Sequence, residues 1–400
     1  MNELVVGVFA AVYVGMLCGR WPWLQLDRTG VALLGAMMLV GAGVLDAEAA
    51  WAAVDIPTIS LLFALMVVSV QLRLGGFYTW VTELLHRGEW SPPVLLLVLV
   101  LFAGGLSAVF TNDIICLAMA PVLIGLCLGR ALNPVPFLLA LACAANIGSA
   151  ATLIGNPQNI LVGQKLRLSF TGYLAEAIIP SLAGLLVAWA VIAFQFRHRW
   201  RGESRPNVAP VEAPPFDRWQ SGKGLAVTLL LLVVFLGGWW PRELAALAGA
   251  GVLMMSRRLH SRQMLGLMDW QLLVLFIGLF VVNHAFEQTG VAARAVAAAA
   301  ERGMDLRNPG WLLTVTVLLS NAVSNVPAVM LLLPHVALGD GVTLALVSTF
   351  AGNLLAVGSI ANIIVIETAG RMGLRIDWRT HARTGVPVTL ATLVILLLRG

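Results

Sequence analysis

Residues 145–160 read ANIGSAATLIGNPQNI, and residues 352–364 read GNLLAVGSIANII. Both stretches set amides, hydroxyls and glycines inside otherwise apolar runs. Asn156-Pro157 is a helix-start signal, an N-cap followed by proline at the first helical position, so the first stretch is read as two short helices with a break between them. What surrounds the breaks decides what they mean. Of 400 residues 59% are apolar and 11% charged, and the mean hydropathy is +0.89. A soluble domain of this length carries about twice that charged fraction. The chain is therefore expected to be an all-α polytopic membrane protein. That excludes a cytosolic enzyme, a disulfide-rich secreted scaffold and a disordered chain. The net charge of +5 is the basic excess of cytoplasmic loops and does not imply nucleic-acid binding. Cys18, Cys116, Cys127 and Cys143 lie in apolar stretches without metal-ligand spacing. The chain carries no GxxxxGK[ST] phosphate loop, so ATP hydrolysis is not expected.

Apolar runs able to cross roughly 30 Å of hydrocarbon fall near residues 3–18, 29–45, 56–72, 174–196, 224–238, 241–256, 269–286 and 382–398. The first has neither a preceding basic region nor a small-residue cleavage site and is read as a span. Four further regions are interrupted, near 92–128, 135–164, 309–338 and 342–370. A polar stretch, 197–223, opens Arg197-His198-Arg199-Trp200-Arg201 and continues through Pro206, Pro210, Pro214 and Pro215. It divides the chain into residues 1–196 and 224–400, and the two parts match. Arg28, Gly35, Asp55 and Gly76 recur as Arg242, Gly249, Asp269 and Gly290, each 214 residues on. Asn112 and Pro121 recur as Asn325 and Pro334 after 213 residues, and Gly155 and Asn159 as Gly358 and Asn362 after 203. A register this constant marks an internal duplication.

Each half reads as three spans, an amphipathic surface helix (about 76–88 and 289–303), an interrupted hairpin, a broken helix and a final span. With a re-entrant hairpin each half crosses five times, about ten crossings in all, and the odd count turns the second repeat upside down relative to the first. Positive charge gives an independent check. With the 197–223 linker in the cytoplasm, 18 of the 25 basic residues fall inside, among them Arg20, Arg73, Arg130, Arg257 and Arg371. The expected location is a bacterial inner membrane, with the lipid bilayer as the surrounding partner.

Non-helical backbone survives at membrane depth only where it is buried in protein or lines a wet cavity, so the interruptions are the expected site. The candidates in the first half are Thr111, Asn112 and Asp113 at the hairpin tip, then Asn146, Gly148, Thr152, Gly155, Asn156 and Asn159 in the broken helix. In the second half they are Ser324 and Asn325, then Asn353, Gly358, Ser359 and Asn362. Thr111, Asn156, Ser324 and Ser359 are N-caps by type, so four half-helices are expected to begin near the midplane. Their free N–H groups and positive dipole ends hold an anion without Lys or Arg. The glycines allow close backbone approach, and unwound carbonyls suit a small cation. Asp113 is the one acid among neutral groups, and its repeat mate is Val326. It is expected to carry a coupling proton or to help bind sodium with Asn112, Asn325 and nearby carbonyls.

The strings TNDIICLAMAP (111–121), ANIGSAATLIGNPQNI, SNVPAVMLLLP (324–334) and GNLLAVGSIANII resemble, in order, motifs of the ion-transporter superfamily. That superfamily holds arsenite permeases, NhaD-type sodium/proton antiporters, divalent-anion/sodium symporters and general anion permeases. The resemblance implies two inverted repeats, alternating access and no enzymatic activity. In carboxylate symporters both tips resemble Ser-Asn-Thr, and here the final Thr is missing twice. The Asn112-Asp113 pair resembles the arsenite-permease and NhaD branches, which implies proton-linked exchange. The expected function is secondary active transport of a small inorganic or organic anion or oxyanion, arsenite being one candidate, coupled to protons or sodium. The alternative is an NhaD-type sodium/proton antiporter. No cofactor beyond the coupling ion is expected, and a homodimer is compatible with the resemblance.

Overall fold

The structure, a computed structural model, describes residues 1–19, 24–88, 90–202 and 214–398. Arg20, Pro206 and Pro210 lie outside the described residues. Among those described, the chain is helical throughout with no named strand, and seven helices are long and apolar enough to cross a membrane.

Six helices form a scaffold in which each half leans on the other. Arg28–Gly41 packs on Trp270–Gln288, and its repeat counterpart Arg242–Met254 packs on Ile56–Leu74. Asn2–Cys18 covers the first pair and Arg218–Gly237 the second. The matched residues do matched work. Asp55 and Asp269 both cap their helices, accepting from Thr58 and Leu272 N–H, and Gly76 and Gly290 both start a surface helix with φ near +69° and +67°. Those surface helices span Phe77–Arg87 and Val291–Glu301.

Two of the expected spans are shorter than the sequence suggested. The run 29–45 ends as a helix at Gly41, turns at Gly43 (φ 70°) and restarts at Ala47–Ala53 from the N-cap Asp46. The run 241–256 ends at Met254 and is followed by Ser261–Gly266. At 1.5 Å per residue, helices of 14 and 13 residues rise only about 20 Å. The linker region is also shorter than its composition implied, because Asp217 caps a helix that starts at Arg218 and not near 224. Gln71 Nε2 donates to Gln220 Oε1 (2.9 Å) and Ser221 Oγ to Gly75 O (2.9 Å), fastening that start to the scaffold.

The interrupted elements lie beside this scaffold. The first hairpin is Pro92–Val109 and Asn112–Gly129, separated by Phe110 and Thr111, and the second is Pro309–Val323 and Asn325–Leu332, separated by Ser324 alone. The broken helices are Pro134–Ser149 with Pro157–Lys165, and Gly341–Ala351 with Ile360–Arg371. The final spans, Phe170–Gln195 and Trp378–Leu397, pack on each other and on the broken helices.

One end of the first broken helix is tied to the scaffold. Lys165 Nζ pairs with Asp55 (2.9 Å), Arg242 donates to Gly163 O (2.8 Å) and Gln164 to Glu243 (3.2 Å). At the corresponding place in the second broken helix, 203 residues on, Lys165 is replaced by Thr368. Glu367 there pairs with Arg371 on the exposed surface (3.6 Å).

Candidate substrate site

The two hairpin tips and the starts of the two second half-helices meet at one small gap of about 20 Å³. Asn112, Asp113, Ser324, Asn325, Val326 and Ser359 line it, with Pro157, Gln158, Ile360 and Leu272 completing the wall. The half-helices that begin at Asn112, Pro157, Asn325 and Ile360 therefore all start at this gap. Among the described residues, no Lys or Arg lines it. Such a wall offers backbone N–H groups and helix-dipole ends to a negative or hydroxylated group.

The four expected caps divide into two kinds. Asn156 Oδ1 accepts from Asn159 N–H (2.8 Å), and Ser359 Oγ from Ala361 N–H (3.3 Å). Thr111 and Ser324 hold the N-cap positions but their hydroxyls accept no N–H among the described residues, and Ser324 takes φ 77° to turn the chain in one residue. The buried Asn112 Oδ1 also lacks a partner among the described residues, while its Nδ2 donates to Asn146 Oδ1 (3.1 Å). The half-buried Asp113 carboxylate makes no hydrogen bond or ion pair among the described residues.

Other candidates sit behind the wall and hold it together. Asn146 is a hub: its Oδ1 accepts from Asn112 and from Ser359 Oγ (2.8 Å), and its Nδ2 donates to Asn353 Oδ1 (2.9 Å) and Asn362 Oδ1 (3.1 Å). Asn159 Nδ2 ties the carbonyls of Ser149 and Thr152 (3.3 and 2.9 Å). Asn362 Nδ2 ties those of Gly352 and Leu355 (2.8 and 3.2 Å), each 203 residues on. Thr152 donates to Ala108 O in the hairpin. Both tips bond to repeat-equivalent carbonyls of the breaks through different donors: the Asn112 backbone N–H donates to Gly155 O (3.1 Å), and the Asn325 side-chain amide, oriented by its surroundings, donates to Gly358 O (3.2 Å). Glycine is required at 148 because a Cβ there would collide with the backbone of Gly104 in the hairpin. A Cβ at Gly155 would likewise strike the Ser149 carbonyl.

Several contributing residues had not been singled out from the sequence. Gln158 lines the gap, and Thr349 Oγ1 lies 3.3 Å from both Gln158 Nε2 and Asn156 Nδ2. Thr349 stands 203 residues after Asn146, so the repeat register carried its signal. Leu272, from the scaffold, had none. Of the histidines, His284 bonds Gln288 (2.9 Å), while His335 Nε2 is buried without a partner.

The profile of the CitMHS family, described as citrate transporter, matches residues 13–339. The chain belongs to this family. An uncharacterised transporter of Mycobacterium tuberculosis is 30% identical over 99% of this chain and 97% of its own length. The silicon efflux transporter LSI3 of Oryza sativa subsp. japonica is 29% identical over 99% and 96%. The inner membrane protein YbiR of Escherichia coli is 31% identical over 78% of each. Among solved structures, the YdaH transporter of Alcanivorax borkumensis shares the fold, with a TM-score of 0.56 over 99% of this chain and 96% of that one at 17% identity. This CitMHS family member is a multi-pass membrane transporter and not an enzyme.

Proposed function

We propose that this transporter is a secondary carrier of a small oxyanion or hydroxylated inorganic acid, coupled to protons or sodium through Asp113, and that it works by alternating access between two inverted repeats in an inner membrane. The observation that carries this reading is the meeting of four half-helix starts around a gap lined by amides, hydroxyls and one carboxylate that has no partner among the described residues. Amide and hydroxyl donors with helix-dipole ends suit a cargo rich in oxygen and low in charge, and no cationic side chain is there to neutralise a multivalent carboxylate. The silicon named in the rice relative fits that chemistry. The citrate of the family description is a larger and more charged cargo. Asp113 and Val326 make the two tips unequal, which supports assigning the ion to the first tip. The inner-membrane location is supported by the E. coli relative.

In this scheme the hairpins and broken helices move together against the six-helix scaffold, and Asp113 binds or releases its ion as the gap changes sides. The second reading, sodium/proton antiport, rests on that same free carboxylate. Proteoliposomes separate the two. Uptake of arsenite or silicic acid driven by a proton or sodium gradient, lost by more than tenfold in Asp113→Asn, is the expected result. If sodium alone collapses a pH gradient with no oxyanion present, the antiporter reading takes its place. Full coupled uptake in Asp113→Asn overturns both.

A further inference from the structure

We propose that Tyr173 and His381 are paired positioning residues, each hanging the break of its own half from the final span by a hydrogen bond to the same repeat-equivalent carbonyl. Tyr173 sits in Phe170–Gln195 and donates from its hydroxyl to Ala150 O (2.8 Å). His381 sits in Trp378–Leu397 with Nε2 3.1 Å from Asn353 O. Ala150 and Asn353 are 203 residues apart, the separation that also relates Gly155 to Gly358 and Asn159 to Asn362. Both donors are 1% exposed.

The physical need is the same in each half. The last carbonyls of a helix have no partner within it, and at membrane depth no bulk water supplies one. A donor must come from elsewhere, and the final span provides it twice with different chemistry. Because a carbonyl only accepts, Nε2 of His381 carries a hydrogen, which fixes the tautomer of the neutral ring. Gly385, one turn further along, leaves the room: a Cβ there would collide with the Asn353 carbonyl.

The brace reaches the gap through few bonds. Asn353 Oδ1 accepts from Asn146 Nδ2 (2.9 Å), and Asn146 Oδ1 accepts from Asn112 Nδ2 (3.1 Å) and Ser359 Oγ (2.8 Å), both on the wall. In the first half Tyr173 also accepts from Asn159 Nδ2 (2.9 Å). Loosening His381 therefore shifts the wall without touching cargo.

The transport arm of the test rests on the carrier reading, and the exchange arm does not. In the full-length chain, backbone hydrogen exchange is followed over residues 149–156 and 352–359 in Tyr173→Phe, His381→Leu and His381→Gln. His381→Leu is expected to speed exchange in the second segment alone by about fivefold to tenfold, the loss of one buried hydrogen bond. Tyr173→Phe, which removes a single oxygen, is expected to do so in the first segment alone. His381→Gln, whose amide also donates, is expected to stay within about twofold of wild type. In proteoliposomes supplied with arsenite or silicic acid, His381→Leu is expected to raise the half-saturating concentration about fivefold or more with a smaller change in maximal rate, and Gln to restore it. Unchanged exchange over 352–359 in His381→Leu, exchange rising evenly over both segments, or a Gln variant as impaired as Leu overturns the assignment. If the wild-type chain moves neither probe, the oxyanion reading fails while the exchange arm still decides the brace.

Discussion

Asn146 and Asn112 are joined by one hydrogen bond, yet removing each has a different expected cost. The Asn146 side chain has four partners drawn from both halves, three amides and the Ser359 hydroxyl, and truncation leaves them in a dry interior where an unmet group costs about 1–3 kcal/mol. Asn146→Ala is expected to lose about 2–4 kcal/mol, seen as a large fall in the detergent melting temperature. Asn112 keeps an unpaired Oδ1 and lines the gap, so Asn112→Ala is expected to melt within a few degrees of wild type while transport falls by roughly tenfold or more. Equal melting losses in the two variants would contradict this division. The sequence could not supply it. It displayed the amides and their register, but whether an amide is satisfied depends on partners such as Asn353, Asn362 and Ser359, 207 to 216 residues away. Thr349 escaped notice because its repeat mate is an asparagine and the two share only their polarity.

Helix against helix, the tightest junction is Gly148 on Gly104. Backbone stands opposite backbone there, so no rotamer change relieves an added methyl. Gly148→Ala is expected to cost about 1–3 kcal/mol or to separate hairpin from broken helix, whereas Gly105→Ala, which meets nothing within 4 Å, is expected to be tolerated; unfolding of the two variants compares them. The end of Pro157–Lys165 offers a pH measurement. Partial burial pushes the Asp55 carboxyl up, but hydrogen bonds from Thr58 and Lys165 and the lysine's charge outweigh it and hold the group below its ordinary value. A depressed folded value adds stability in full above the unfolded value of about 3.9, and that stability disappears as the pH falls through the folded one. Asp55→Asn is therefore expected to melt below wild type at pH 7, with the difference closing only below about pH 4. Elements were the most legible scale: apolar runs and polar interruptions marked most of the helices, although three begin earlier than expected, at Phe170, Arg218 and Trp378 instead of near 174, 224 and 382. What hid were Ala47–Ala53 and Ser261–Gly266, helices of seven and six residues that are too short to show as apolar runs.

For the molecule as a whole, the repeat register predicted which elements correspond but not that each half would lean on its counterpart's helices, as Arg28–Gly41 does on Trp270–Gln288. Packing across halves is set by side-chain shape at distant positions, and periodicity along one chain carries no record of it. The size of the central gap was equally invisible from sequence. At about 20 Å³ it has room for a single water molecule. Protons cross membranes quickly only along an unbroken file of hydrogen-bonded waters, and a gap with room for one molecule does not hold a file. Vesicles holding this protein in buffer free of sodium and oxyanion are accordingly expected to keep an imposed pH difference as long as empty vesicles do, followed by an entrapped pH dye. An idle copy would then be no short circuit, and a cell could make many copies without discharging the voltage that drives them.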